Sequence, residues 1–247
     1  DYRFVGDLER LRPRVEGPGS RERFDYWLNQ FRYLRAVGRV ACSWHEYDTV
    51  MKIVRSQTHP EEKRRQALEL ALPARRELVA DVNEANGWLL HTVSAPGGLG
   101  VVANWQQHVM DLLLDRPEAE LAQILGGPLP DDAQPMRRYI GPVRLFVPTV
   151  RTVLTAGEEL TITGVLQGAW PKDATIWFRP LGTGPFHALP FESAARGVWR
   201  VTLPKDVTDR DFEYYVTFVT EQGRVLRFPA TAPRLNQTVV VMPADER

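Results

Sequence analysis

The hydrophobic pattern of this chain changes period once, and that change limits the fold more than any other feature. Up to about Leu125 the apolar residues recur at three- and four-residue spacings. From Tyr139 onward they alternate. A helix returns to the same face every 3.6 residues and a strand every 2, so the two stretches demand different elements. The expected architecture is α+β by segregated domains. An all-α helical domain over residues 1–135 precedes an antiparallel immunoglobulin/fibronectin-III-like β-sandwich over 136–247, with the prolines and aspartates of Leu129–Pro135 as linker.

Within the first half, Ser20 to Tyr47 carries the clearest stripe: Phe24, Trp27, Leu28, Phe31, Leu34, Gly38 and Ala41. It is expected to be the buried face of a spine helix, with Gly38 a notch for another backbone and Cys42 a buried small hydrophobe. Ser43-Trp44-His45-Glu46 has capping-box form, which predicts a break there and a second helix to about Ser56. Residues 1–19 are read as a strap, because Pro13 and Gly17-Pro18-Gly19 oppose a helix. Pro60 opens a helical run to about His91, kinked at Pro73, with Arg75 and Arg76 as solvated charge. Thr92–Gly100 is expected to be a loop. Asn104–Leu114 and Pro117–Leu125 follow as helices, the second stopped by Gly126-Gly127-Pro128.

In the second half the alternating sets are Leu160/Ile162, Ile176/Phe178, Trp199/Val201/Leu203, Phe212/Tyr214/Val216/Phe218 and Val239/Val241. Turn signals ending at Gly157, Gly184, Gly197 and Gly223 separate them. A lone cysteine rules out the disulfide of antibody domains, which favours the fibronectin-like variety.

Composition bounds the function. Lys+Arg and Asp+Glu both number 31, so the net charge is zero, which argues against a nucleic-acid binder driven by bulk charge. No apolar run approaches the roughly 18 residues of a membrane span. The chain opens on Asp1 without an initiator Met and is expected to be a piece of something larger.

Catalytic signatures are missing from the sequence. There is no GxSxG elbow, and Thr49 stands where the second histidine of HExxH would be after His45-Glu46. Gly97-Gly98-Leu99-Gly100 lacks the GK[ST] of a phosphate loop. Asp131-Asp132 reads as a solvated pair, and His45, His91 and His108 as surface or satisfied core histidines. Asn236-Gln-Thr238 matches a glycosylation acceptor. No catalytic, metal or cofactor residue is expected.

The candidate binding residues are Asn104, Trp105, Gln107 and His108, directly after the glycine-rich stretch. A flat aromatic face beside amides and an imidazole is the chemistry that holds a sugar ring and its hydroxyls. Trp44 and His45 carry the same possibility, and Trp170 is a further exposed-aromatic candidate. The alternative for Trp105 is a core position.

Tyr26–Val40 (YWLNQFRYLRAVGRV), Thr92–His108 (TVSAPGGLGVVANWQQH) and Phe228–Val241 (FPATAPRLNQTVVV) together resemble the C-terminal region of large secreted bacterial carbohydrate-active enzymes. The resemblance implies the trailing, accessory part of a glycoside hydrolase, secreted or periplasmic. Its partners would be the catalytic domain of the same or a companion chain and a polysaccharide. The catalytic carboxylates would lie outside this sequence. Two other readings stay open: a protein-interaction or structural module, and a small independent hydrolase using Gly97–His108. The accessory reading predicts an exposed apolar patch on the helical part.

Overall fold

The computed structural model describes residues 1–94, 96–136 and 138–243. An N-terminal helical region precedes antiparallel and mixed sheets, an α+β chain. It divides into two compact units, one of residues 1–14, 24–93 and 97–141, the other of 15–23, 94–96 and 142–247.

The helical region holds α1 (Arg3–Leu11), α2 (Pro18–Ser56), α3 (Pro60–Gln66), α4 (Leu72–Thr92), α5 (Pro96–Asn104) and α6 (Arg116–Leu125). α1 replaces the expected strap: Pro13 lies just past the helix, in a 3-10 turn, and so does not interrupt it. α2 is one continuous helix with no break at Ser43. A capping box needs its first residue out of helical geometry. Ser43 instead donates its hydroxyl back to Arg39 O and Val40 O, at 3.2 and 3.4 Å, which a mid-helix serine can do without interrupting the ladder.

The buried face of α2 also differs from the expected stripe. It is formed by Leu28, Ala36, Val40, Ser43, Tyr47, Met51 and Val54. Trp27 and Leu34 are exposed, as is Cys42. Gly38 faces the Tyr2 ring, not a backbone.

Two π-helical segments, Ala67–Ala71 and Trp105–Asp115, each end two residues before a proline, Pro73 and Pro117. A proline offers no N–H to the carbonyl four residues back. For Pro117 that carbonyl belongs to Leu113, and the Arg75 guanidinium donates to it at 3.4 Å. Arg75 is the opposite of the solvated charge expected. Its side chain is fully buried, donating also to Ala133 O at 3.1 Å and Glu118 at 3.5 Å. Burial lowers its pKa, and it remains the cation beside Glu118. Burial also pushes the neighbouring Tyr47 hydroxyl up to about 12. Arg76, next in sequence, pairs with Asp132 at the surface.

The expected loop at Thr92–Gly100 is mostly helix, because Pro96 falls in the first turn, where a proline is favoured. A Cβ on Gly98 would lie 3.3 Å from the Val93 backbone. α6 stops at Leu125, with Gly126 left-handed at φ 79°.

The second unit contains two sheets. The four-stranded one has the order β1 (Arg144–Phe146), β3 (Leu160–Gln167), β7 (Val198–Leu203), β6 (Glu192–Ala195). The other runs β2 (Val153–Thr155), β10 (Gln237–Met242), β8 (Phe212–Thr220), β4 (Pro171–Pro180), β5 (His187–Pro190), with β9 (Val225–Phe228) also on β8. All pairings are antiparallel except β2 with β10. The alternating residues of both sheets bury one common cluster, including Ile162, Val201, Ile176, Phe212, Val216 and Phe218. Gly164 admits the Phe218 ring, since a Cβ there would lie 2.9 Å from it. The four glycines of the turn signals all take positive φ.

Glu213 joins four segments of this unit. It accepts from Arg179 at 2.8 Å, Gly182 N at 3.3 Å and Asn236 Nδ2 at 2.7 Å. Burial pushes its carboxyl up, but the hydrogen bonds from Asn236 and Arg179 outweigh this and hold it below its ordinary value. The amide nitrogen a glycan would take on Asn236 is therefore already committed.

Two outcomes follow from these buried charges. Arg75→Ala strands two carbonyls and Glu118, and is expected to cost roughly 3–5 kcal/mol in urea unfolding. Arg75→Met, which keeps the volume, should cost less, and the reverse order would contradict the role given to Arg75. Glu213 stabilises fully above an ordinary carboxylate pKa of about 4.3, and this is lost as pH falls through its depressed folded value. Glu213→Gln should therefore flatten the acid limb of the stability curve, and an unchanged limb would remove Glu213 as its source.

Candidate functional site

The helical unit carries a connected set of exposed aromatic rings. It is built on the antiparallel pairing of α1 with the first half of α2. Glu9 receives Arg32 at 2.9 Å and Arg35 at 3.2 Å, while Asp25 receives Arg12 through two bonds of 3.0 and 2.9 Å. The hydrogen bond from Arg32 is the main reason the Glu9 carboxyl is held low. These pairs fix α1 so that Phe4 meets Phe31 edge to face, centroids 5.1 Å apart. Tyr2 adjoins Phe4 at 6.3 Å. One turn back along α2, Trp27 stacks on Phe31 at 6.4 Å and Tyr26 meets Trp27 at 5.2 Å.

Trp27 is 59% exposed, and Tyr2, Phe4, Tyr26 and Leu34 are exposed as well. Rings this open forfeit roughly half of the about 1.5–3 kcal/mol that full burial of such a side chain brings. A contiguous apolar patch of this kind is uncommon on a folded surface and makes this face the candidate site. Its rim is charged: beside it Arg32 lies over Trp88 at 4.5 Å, Trp88 Nε1 donates to Glu84 at 3.2 Å, and Arg39 pairs with Glu84 at 2.7 Å. An aromatic centre with a polar rim is the anatomy of a protein interface.

The residues nominated from sequence fall elsewhere. Trp105 is 7% exposed and packs edge-on against Tyr33 at 6.2 Å, so it offers no open ring face to a sugar. Its indole N–H has no hydrogen-bond partner. Asn104 ends α5, and Gln107 and His108 lie on the π-helical segment, all three exposed. Trp44 is half-buried against Tyr47 at 6.2 Å, and His45 is exposed. They stand eleven residues, or about 16 Å of helix, beyond Tyr33. No ring contact or hydrogen bond among the described residues joins them to Asn104–His108. The glycines before this set are helical and do not form an open cradle of N–H groups. Trp170 is exposed in the turn between β3 and β4. No cluster of three or more His, Cys, Asp or Glu side chains among the described residues could hold a metal. His91 bonds Gly87 O at 2.8 Å.

The aromatic patch was hidden by its own periodicity. Trp27, Phe31 and Leu34 have core spacing, and only the position of α1 and the true buried face of α2 show that they are left over. The signal available in the sequence was the surplus: two apolar stripes on one helix, where packing uses one.

No family model matches this chain, and no curated protein sequence matches it. Among solved structures it is similar to one described as giving structural insight into host cell surface retention of a 1.5-MDa bacterial ice-binding adhesin. The identity is 16% and the TM-score 0.27, over 42% of this chain and 33% of that one. The match thus spans about a third of that solved chain, and at this TM-score the likeness supports no conclusion about fold or function. No helix among the described residues is long and apolar enough to cross a membrane.

The two tryptophans should behave differently when truncated. Trp105→Ala is expected to cost about 3–5 kcal/mol, as for a large core side chain. Trp105→Phe, which removes the orphaned N–H, should cost far less. Trp27→Ser, which gives up only its contacts with Tyr26 and Phe31, should cost about 1–2 kcal/mol, clearly less than Trp105→Ala. Chemical denaturation of the three variants checks this, and a freely tolerated Trp105→Ala would contradict the core position.

Proposed function

We propose that this chain is a non-catalytic accessory part of a carbohydrate-active enzyme, docking on the catalytic domain of the same or a companion chain through the aromatic patch of its helical unit. The observation that carries the reading is the set of five neighbouring rings around Phe31 and Trp27, of which Tyr2, Phe4, Tyr26 and Trp27 are exposed. The identity of the enzyme class rests on the sequence resemblance, which implies a glycoside hydrolase exported from the cell. The sugar-contacting role moves away from Trp105. Asn104, Gln107 and His108 remain as exposed polar groups that would touch glycan only at the edge of a complex.

For the second unit we infer an immunoglobulin- or fibronectin-III-like sandwich. In support, β1-β3-β7-β6 correspond in chain order to strands A, B, E and D, and β10-β8-β4-β5 to G, F, C and C′. Ile162 and Val216, both buried, occupy the middle of the strands that antibody domains tie by a disulfide. The same patch would serve an interaction module outside carbohydrate chemistry, and the test separates the two.

The full gene product and this chain are assayed on polysaccharides, and this chain is titrated with the remainder of the gene product, with and without Tyr26→Ser plus Trp27→Ser. Expected are no hydrolysis by this chain alone, binding to the remainder, and at least tenfold weaker binding by the folded double variant. Hydrolysis by this chain alone, or binding indifferent to both substitutions, would sink the proposal. Binding to a remainder with no glycosidase activity would favour the interaction module.

A further inference from the structure

We propose that a cavity beside α4 in the helical unit holds the acetamido group of an N-acetylated amino sugar. The cavity encloses about 320 Å³, enough for one small ligand. Asn86 and Leu90 of α4, Met110 of the π-helical segment and Met136 line it. It exists because the chain after Pro135 is laid along α4. Met136 N donates to Asn83 Oδ1 at 3.3 Å, and a Cβ on Gly87 would lie 3.8 Å from Ile140 Cδ1. Every lining residue belongs to the same compact unit.

Asn86 is the reason to expect a ligand. It is 4% exposed, and its Oδ1 has no hydrogen-bond partner. Its amide nitrogen makes no hydrogen bond with a described residue either. A buried carboxamide has two donors and two acceptor lone pairs to satisfy, and leaving them unmet is costly. Such an orphan calls for a partner outside the chain.

The inner lining chooses the class of that partner. Asn86, Leu90 and Met110 are buried and uncharged, so a carboxylate or ammonium would be desolvated there without a counter-charge. A hydrocarbon would leave the carboxamide orphaned, and a lone hydroxyl would meet only part of it. A secondary amide offers one acceptor and one donor to the two ends of Asn86, and its methyl fits against Leu90 and the methionine thioethers. At the mouth stand Gln106, Arg138 and Tyr139, all exposed, an amide, a guanidinium and an aromatic ring able to meet the hydroxyls and face of a sugar. The choice of an amino sugar among acetamides rests on the carbohydrate reading above. The amide site itself does not.

The test titrates the whole chain, labelled at its methionine methyls, with N-acetylglucosamine. Glucosamine and glucose serve as counterparts without the acetyl group, and Nε-acetyl-lysine as an acetamide that is not a sugar. Expected are saturable shifts at Met110 and Met136 with N-acetylglucosamine, and at least tenfold weaker binding of the two unacetylated sugars. Asn86→Leu removes no internal hydrogen bond, so it should keep the stability of the chain while losing at least tenfold in affinity. Gln106→Ala, at an exposed position, should weaken binding at least threefold and decides the matter if Asn86→Leu does not fold. Silence with N-acetylglucosamine, equal binding of glucose, binding of acetyl-lysine alone, or undiminished binding by the folded variants overturns the site. Binding of the amino sugar by a chain that ignores the remainder of the gene product would support this cavity and end the docking role.

Discussion

The helical unit depends on one buried cation. Arg75 ties α4 to the carbonyl that Pro117 leaves unpaired at Leu113, to the Ala133 carbonyl and to Glu118. A guanidinium has no alternative to charge, so it must find acceptors wherever it is buried. That requirement brings three sequence-distant segments to one point. The π-helical segment before Pro117 is part of the same arrangement: where a proline cannot donate, the winding and a side chain from elsewhere make up the difference. Removing either group strands the other, which is why buried charge enforces one arrangement while adding little net stability.

The second unit repeats the logic with the opposite sign. Glu213 sits on β8 and collects donors from β4, from the turn at Gly182 and from Asn236. The alternating apolar residues explain why two sheets close over one core. The carboxylate explains why the strand ends and the turn at Gly182 are held in place.

Much of the architecture was legible. The period change, the turn glycines and the stop at Gly126 each reflect a local constraint that acts within a few residues, and each is found in the structure. The expectations that failed share a different origin. Ser43 has the form of a cap, but nothing local told whether its hydroxyl would face forward or back. Trp105 was left between a sugar platform and a core position, and nothing local could choose, since its ring contact is with Tyr33, seventy-two residues away. Arg75 looks like Arg76 in sequence, and only the packing of α6 and residues 131–133 distinguishes a clip from a solvated charge.

The sequence by itself determined where helix gives way to strand, because backbone periodicity is written in neighbouring residues. It determined that no disulfide frames the chain. Only the tertiary structure decided which of two apolar stripes on α2 is core and which is surface. A helix can bury one face against its neighbours, and the choice between two faces belongs to the neighbours. The aromatic patch around Trp27 is what remained after packing had made that choice.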